Sequence, residues 1–243
     1  MDSYKDLSYV YDELMHEDVD YENWADFILN KCDFYKINME NYLDLACGTG
    51  NITGFISEKF KSTWAVDLSP YMLSEAEEKL RRKNIKFICQ DITELQLLDK
   101  FDLATCCLDG SNYILKEEEI LKYFTKVYNH LNKEGLFIFD INSYYKLKTI
   151  MGNNIFNYDD DEIVYMWENI YEDDILNMEL TFFVKEGELY RRFDESHQER
   201  AYTNEKIIDL LEKVGFQIKE ILDSYSNKKA HINSERVVFI VQK

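Results

Sequence analysis

The residues best suited to chemistry lie in one short stretch, Asp44-Leu45-Ala46-Cys47-Gly48-Thr49-Gly50-Asn51. An apolar, strand-like run (Tyr42-Leu43-Asp44-Leu45-Ala46) leads into it, and a helical pattern over 51–60 follows. A glycine-rich turn between a strand and a helix brings backbone N–H groups close to a ligand, because glycine has no Cβ to hold the ligand off. The next apolar run, Thr63-Trp64-Ala65-Val66-Asp67, ends in a carboxylate. An acid in that place can accept hydrogen bonds from a pair of ribose hydroxyls. A turn, a helix and an acid in this order point to an adenosine-containing ligand.

Two details narrow the ligand. The dinucleotide fingerprint requires glycines at three positions of G-x-G-x-x-G. The frame starting at Gly48 gives Gly48, Gly50 and Thr53, and the frame starting at Ala46 gives Ala46, Gly48 and Asn51, so neither fits. Asp44, just before the turn, repels a pyrophosphate and attracts an ammonium or a sulfonium. S-adenosylmethionine is therefore favoured over NAD, with an NAD oxidoreductase as the competing reading.

Alternating elements must position these residues. Ser69 and Pro70 read as N-cap and first residue of a helix with Met72, Leu73, Ala76 and Leu80 on one face. Ile85-Lys86-Phe87-Ile88-Cys89 reads as a third strand and 101–108 as a fourth, apolar enough to be buried on both faces. A helix over 117–132, closed by Gly135, and a fifth strand over 136–141 follow. This alternation predicts an α/β fold with a parallel sheet covered on both faces. From about 162 to 202 the period changes to two, in three runs, as for an inserted antiparallel β meander. A helix over 203–214 and two closing strands near 217–222 and 236–241 complete the pattern. The organisation expected is a helical N-terminal cap over 1–40, a core over 41–150 and 201–243, and an antiparallel lid over 151–200. The acidic run 159–162 reads as a solvated loop.

Composition excludes several functions. The 243 residues are 46% hydrophobic, enough for a sizeable core, and carry 47 Asp+Glu against 28 Lys+Arg, a formal net charge of −19. Such a surface repels nucleic acid backbones and anionic lipid. The five cysteines contain no C-x-x-C, so they read as reduced thiols, not a zinc site or a disulfide frame, and no metal is expected. The start MDSYKDLSYVYDEL lacks the basic and apolar regions of a secretory leader. A cytoplasmic protein acting on a small molecule, as monomer or homodimer and without nucleic acid or membrane, is the expectation.

The stretch Leu43-Asp44-Leu45-Ala46-Cys47-Gly48-Thr49-Gly50 resembles the first motif, D/E-x-G-x-G-x-G, of the class I S-adenosylmethionine-dependent methyltransferases, with Ala46 in place of the first glycine. Ala46 asks for a negative φ there. Val66-Asp67-Leu68-Ser69-Pro70-Tyr71-Met72-Leu73 resembles the second motif, Cys89-Gln90-Asp91-Ile92 the third, 101–113 the fourth and 135–142 the fifth. Tyr9-Val10-Tyr11-Asp12, Asp20-Tyr21-Glu22-Asn23-Trp24 and Glu199-Arg200-Ala201-Tyr202 resemble a bacterial small-molecule subgroup with a meander lid. The resemblance implies a Rossmann-like seven-stranded mixed sheet of order 3-2-1-4-5-7-6, with strand seven antiparallel. It also implies roles. Asp44, Gly48 and Gly50 would line the methionine moiety, with Ala46 and Asn51 in the same loop. Asp67 would hold the ribose, Leu68 and Met72 would pack on the adenine, and Asp91 would accept from its amine beside Ile92. Leu108 and Asn112 would border the methionine end, with Tyr11 and Trp24 closing the site.

Methyl transfer from a sulfonium is an in-line displacement that asks the protein mainly for proximity and a dry pocket. A general base is needed only where the nitrogen or oxygen nucleophile arrives protonated. Tyr11, Asp109 and His197 are the candidates, and Asn142, His197, Arg200 and Tyr202 are candidate acceptor contacts. A non-catalytic S-adenosylmethionine sensor is the alternative function.

Overall fold

The computed structural model describes residues 7–16 and 19–243. Two helices, α1 (Ser8–His16) and α2 (Tyr21–Tyr35), precede the first strand. β1 (Asn41–Leu45), α3 (Asn51–Ile56), β2 (Ser62–Asp67), α4 (Pro70–Leu80), β3 (Ile85–Cys89), β4 (Phe101–Cys106), α5 (Glu117–His130) and β5 (Leu131–Asn142) follow in order. Next come β6 (Ile155–Asp159), β7 (Ile163–Glu172), β8 (Ile175–Glu186) and β9 (Leu189–Arg200), then α6 (Asn204–Val214), β10 (Gln217–Asp223) and β11 (Arg236–Gln242). Residues 1–6 and 17–18 of the expected cap, and with them the start of the supposed leader-free terminus, lie outside the described residues.

Seven strands form one sheet in the order β10-β11-β5-β4-β1-β2-β3. β1 to β5 run parallel, and β11 is antiparallel to both β5 and β10. This is the Rossmann-like order expected above. Alternate residues of β5 supply the two cores. Phe137, Phe139 and Ile141 pack with Ile120, Phe124 and Val127 of α5 and Ile207 and Leu211 of α6. Leu136 and Ile138 face the other way, with Ile28 and Cys32 of α2 and Ile52 and Ile56 of α3. Each such side chain contributes about 1.5–3 kcal/mol on burial, so this sandwich fixes the sheet edge on which the ligand loops stand.

Local signals set the helix ends. The Ser69 hydroxyl accepts from the Met72 N–H at 3.3 Å ahead of Pro70, and Thr203 caps α6 through the Lys206 N–H at 3.2 Å. Gly215, at φ 108°, closes α6. Two boundaries differ from the sequence pattern. The helical pattern over 51–60 gives an α-helix only to Ile56, with a 3₁₀ turn Ser57–Lys59 beyond it. α5 stops at His130, because Leu131 is already extended at φ −80° and ψ 146°. Gly135 is no helix cap. It lies inside β5, where a Cβ would meet the carbonyl oxygens of Asn132 and Phe101 at 3.0 and 3.1 Å.

The second sheet is four-stranded and antiparallel, β6-β7-β8-β9, where the pattern predicts three runs. The acidic run 159–162 joins the additional strand, β6, to β7. Asp160 Oδ1 accepts from the N–H groups of Glu162 and Ile163 at 3.0 and 2.7 Å, so the acids build the turn. One end of this sheet packs against α1 through Ile163, Phe182 and Phe193 with Leu7 and Leu14. The other end packs against a π-helical turn, Lys146–Met151, through Leu176 and Met178. Among the described residues no helix is long and apolar enough to cross a membrane, and no cluster of three His, Cys, Asp or Glu is arranged to hold a metal.

Candidate active site

A cavity of about 740 Å³ opens at the carboxyl ends of β1, β2 and β4. That volume falls within the range of small-molecule sites, about 300–1,000 Å³. Its wall includes Asp44, Ala46, Cys47, Thr49 and Asn51 from the first loop, Asp67, Leu68 and Met72 after β2, and Asp91 and Ile92 after β3. Leu108 follows β4, Tyr11 comes from α1, and Ser196, His197 and Gln198 come from β9. The second sheet thus supplies one wall. Tyr21, Tyr71 and Tyr113 also line the cavity. Sequence reasoning assigns none of these three a site role. Tyr21 carries the period of an apolar helix face, and nothing local marks its exposure to a ligand.

The turn after β1 is left-handed at three positions, with φ 51° at Ala46, 55° at Gly48 and 77° at Gly50. The expectation of a negative φ at Ala46 is therefore wrong. The missing glycine is a real departure, and alanine holds a conformation that costs an L-residue about 1–2 kcal/mol. Gly50 is required on a second ground, since a Cβ there would stand 2.8 Å from Leu80 Cδ1. Ala46→Gly is expected to stabilise the protein by about 0.5–1 kcal/mol, the strain relief being partly offset by unfolded-state entropy. Chemical denaturation measures it, and an unchanged or lowered midpoint contradicts the strain. Gly48 and Gly50 shape the loop and are not part of the cavity wall.

Asp44 is 2% exposed and accepts from the hydroxyls of Thr105 at 2.7 Å and Thr53 at 2.5 Å. Burial nevertheless pushes its carboxyl up to about 6, the threonines opposing and nearby Asp67 adding to the rise. A cation bound beside it reverses that shift, so the donor set fits an ammonium or sulfonium. Asp67 accepts the Gly48 N–H on Oδ2 and the Ser69 N–H on Oδ1, both at 2.8 Å, and ties the first loop to the second. Burial raises its carboxyl as well, against those backbone hydrogen bonds. An ionised carboxylate offers about four acceptor sites, so two stay available for hydroxyls. Asp91 Oδ1 caps its turn through the Thr93 N–H and hydroxyl, both at 2.8 Å, while the residue lines the cavity.

α1 is fastened over this loop. Asp12 accepts from the Thr49 hydroxyl at 2.5 Å and the Asn51 amide at 2.9 Å, and pairs with Lys79. Burial pushes its carboxyl up, but those partners outweigh burial and hold it below the usual range. Cys47 lines the cavity, and burial, then Asp67 and Asp44, push its thiol up, away from the thiolate.

Several sequence candidates stand apart from the cavity. Trp24 stacks on Tyr225 with ring centroids 4.0 Å apart, inside the α2 packing. Asn112, fully buried, donates its amide to the carbonyls of Asn142 and Arg200 and accepts the Asn142 N–H at 3.0 Å, so it pins β5 to β9. Arg200 donates to the Leu115 carbonyl at 2.9 Å, and the Tyr202 hydroxyl donates to the Ile114 carbonyl at 2.5 Å. Asn142 donates to Glu199 at 2.9 Å and accepts from Lys146. Asp109 pairs with Arg236 at 2.9 Å. Asn112, Asn142, Arg200 and Tyr202 hold the second sheet onto the first, whereas Asp109 is tied to Arg236 within the first. The expected base Asp109 and the expected acceptor contacts Asn142, Arg200 and Tyr202 are not part of the cavity wall.

The centre of that polar network is Asp140, fully buried, which lies within the stretch resembling the fifth motif but to which the resemblance gives no role. It accepts the Leu108 and Asp109 N–H groups at 2.9 and 2.8 Å, the Tyr225 hydroxyl at 2.5 Å, and Arg236. Leu108 and Asp109 are both left-handed, at φ 58° and 53°. The carboxylate facing their paired N–H groups holds that strained turn, and with it Leu108, against the cavity. On β9, Phe193, Glu195, His197 and Glu199 alternate as the buried face. The same period-two spacing in the sequence marks them as one face.

Glu199 is 3% exposed, and burial, then the charge of Asp109, push its carboxyl up to about 8, against its hydrogen bond from Asn142. The folded protein therefore keeps a proton that the unfolded chain loses near 4.5. Protons bind more to the folded state between those values, so this group makes stability fall as pH rises through that window. Glu199→Gln, which keeps the neutral shape, is expected to flatten the fall and to stabilise the protein at pH 8 by more than about 1 kcal/mol, one unit being worth about 1.4. Denaturant melts at pH 5 and 8 check it; equal effects at both contradict the burial of a protonated Glu199.

Comparison with known proteins agrees with this geometry. A model described as a methyltransferase domain matches residues 43–135. The chain is 33% identical over 244 residues to "Putative methyltransferase YqeM" of Bacillus subtilis (strain 168), covering 99% of this chain and 97% of that protein. It is 52% identical to an S-adenosylmethionine-dependent methyltransferase from Clostridium acetobutylicum ATCC 824, with a TM-score of 0.94 over 98% of both chains. CalS10 from Micromonospora echinaspora, described as an amino pentose methyltransferase and solved with S-adenosylmethionine bound, shares the fold at 15% identity, with a TM-score of 0.79 over 96% of both chains. The sheet order and the loop after β1 define a class I methyltransferase. The chain belongs to the S-adenosylmethionine-dependent methyltransferase family, and S-adenosylmethionine is its cofactor.

Proposed function

We propose that this methyltransferase acts on a small-molecule acceptor through a nitrogen or oxygen nucleophile. The observation that carries the reading is the cavity itself, about 740 Å³ and walled on one side by β9. A polymer needs a long open groove, and the net charge of −19 opposes nucleic acid. Asp44 is assigned to the ammonium of the methionine moiety, Asp67 to the ribose, Asp91 with Ile92, Leu68 and Met72 to the adenine, and Leu108 to the methionine end. Ala46, Gly48, Gly50 and Asn51 shape the loop around it, with Tyr11 over the site. When bound, the cofactor supplies an electrophilic methyl group on a positively charged sulfur. The chain's own part is to exclude water between α1 and β9 and to hold the acceptor in line, a kind of orientation that supplies roughly 7–11 kcal/mol in favourable cases. A test is to supply S-adenosylmethionine with a tritiated methyl group together with metabolite, protein and RNA fractions of a bacterial extract. Label in the metabolite fraction is the expected result, and label confined to protein or RNA rejects the small acceptor. Tight cofactor binding with no label in any fraction supports a sensor instead.

A further inference from the structure

The buried face of β9 suggests what the acceptor is. Glu195, His197 and Glu199 occupy successive inward positions of this strand and are 7%, 8% and 3% exposed. The His197 Nε2 stands 3.8 Å from Glu195 Oε2, its ring meets the Tyr113 ring edge-on at 6.1 Å, and both His197 and Tyr113 line the cavity. The acids on the rest of the wall are Asp44, Asp67, Asp91, Glu94 and Glu119, set among apolar and neutral side chains. Among the described lining residues the one lysine, Lys122, is paired with Glu94. With Asp44, Asp67 and Asp91 assigned to the cofactor and Glu94 paired with Lys122, Glu119 on the wall and Glu195 beside His197 are the carboxylates left to face an acceptor, and they favour a cation over a phosphate or carboxylate.

Resting on the small-molecule reading above, we propose that the acceptor is an amine entering as its ammonium, and that His197, backed by Glu195, takes its proton. In the step, an ammonium N–H bond breaks and an imidazole N–H bond forms. The freed nitrogen lone pair then makes the N–CH₃ bond as the C–S bond breaks, and that bond's electrons stay on sulfur. The imidazolium later returns its proton to water. Proton affinities discriminate between an amine and an alcohol as acceptor. Burial lowers the His197 imidazole below its usual 6.5, with Glu179 on β8 opposing. A neutral imidazole can accept the proton of an alkylammonium, at about 10.4, in an uphill step that the following methyl transfer draws forward. An aliphatic hydroxyl, close to water at about 16, lies far beyond its reach. The charged and titratable groups around the ring are Glu195 and Glu199 on its own strand, Glu179 on β8, Tyr113 after β4 and Tyr11 from α1 on the same cavity wall.

The experiment offers the enzyme matched small amines, alcohols and carboxylates (benzylamine, benzyl alcohol and benzoate, and the corresponding amino and hydroxy sugars) with labelled S-adenosylmethionine. The wild type is expected to methylate amines alone, with kcat level between pH 7 and 9. His197→Asn should lose about 10²–10³-fold in kcat at pH 7. Its kcat should then rise tenfold per pH unit toward the amine's own pKa, because only the free base reacts. Calorimetry with S-adenosylhomocysteine should show unchanged affinity, which establishes that the variant is folded. Nuclear magnetic resonance gives a readout besides turnover: the imidazole signal missing from His197→Asn should titrate below 6.5, and lower still in Glu195→Gln. Methylation of alcohols or carboxylates, or a flat pH profile in His197→Asn, overturns this inference and leaves the small-molecule reading standing. Label reaching only macromolecules in the extract experiment above overturns both, and no transfer to any member of the panel counts against the amine.

Discussion

Asp140→Ala is expected to lower the melting temperature by about 6–20 °C, the largest stability effect at any position near the site. The carboxylate is fully buried and answers four donors: two backbone N–H groups, the Tyr225 hydroxyl and Arg236. Removing it leaves the Arg236 guanidinium, whose side chain is 15% exposed, with Asp109 as its remaining carboxylate partner. Breaking one side of a buried pair costs about 3–5 kcal/mol, and in a chain of this size each kilocalorie moves the midpoint by about 2–4 °C. The turn at Leu108 and Asp109 loses its anchor at the same time, so the cavity wall should loosen with the core. Adding Arg236→Met to Asp140→Ala should recover part of the loss, since the guanidinium is then gone. Circular dichroism melts measure both. A fall below about 2 °C for Asp140→Ala would mean that the network is not a structural centre.

The second large effect is on cofactor binding. Asp67→Ala is expected to weaken S-adenosylhomocysteine binding by 10²-fold or more. Two charge-assisted hydrogen bonds to ribose hydroxyls contribute about 1.5–3 kcal/mol each. The same carboxylate joins Gly48 and Ser69, so its loss also frees the two ligand loops from each other. Asp67→Asn separates the two contributions, because one acceptor oxygen remains for a loop N–H while the charge is gone. Its affinity should fall between those of wild type and alanine. Calorimetry at pH 7.5 decides, and an alanine variant that binds as tightly as wild type removes Asp67 from the ribose.

The cofactor half of the cavity is readable in the sequence because its determinants are local. A strand, a glycine turn, a helix and an acid at the next strand's end lie close together in the chain, so the motif places Asp44 and Asp67 on the cavity wall, with Gly48 and Gly50 shaping the turn behind it. The alternation of strands and helices likewise carries the parallel sheet, while its strand order comes from the family resemblance. The acceptor half is less legible because its contacts run between distant segments. Arg200 and Tyr202 look exposed and functional in a lid sequence, yet their donors reach the carbonyls of Leu115 and Ile114. Asn142, and Asn112 from the expected cofactor set, likewise pin β5 to β9 through contacts that no spacing predicts. Asp140 is one acid in an apolar strand, and its partner Arg236 lies in another strand nearly a hundred residues away. Ala46 shows a different limit: a motif position states which residue is usual, but only the backbone shows that alanine sits there at φ 51°.

The most direct test is a crystal structure of the complex with S-adenosylhomocysteine. The account predicts the ribose hydroxyls on Asp67, the amino group at Asp44, and the thioether sulfur facing open space between Leu108 and His197. A ligand bound elsewhere, or one in the cavity whose sulfur turns away from β9 while Asp67 keeps only its backbone partners, would contradict it.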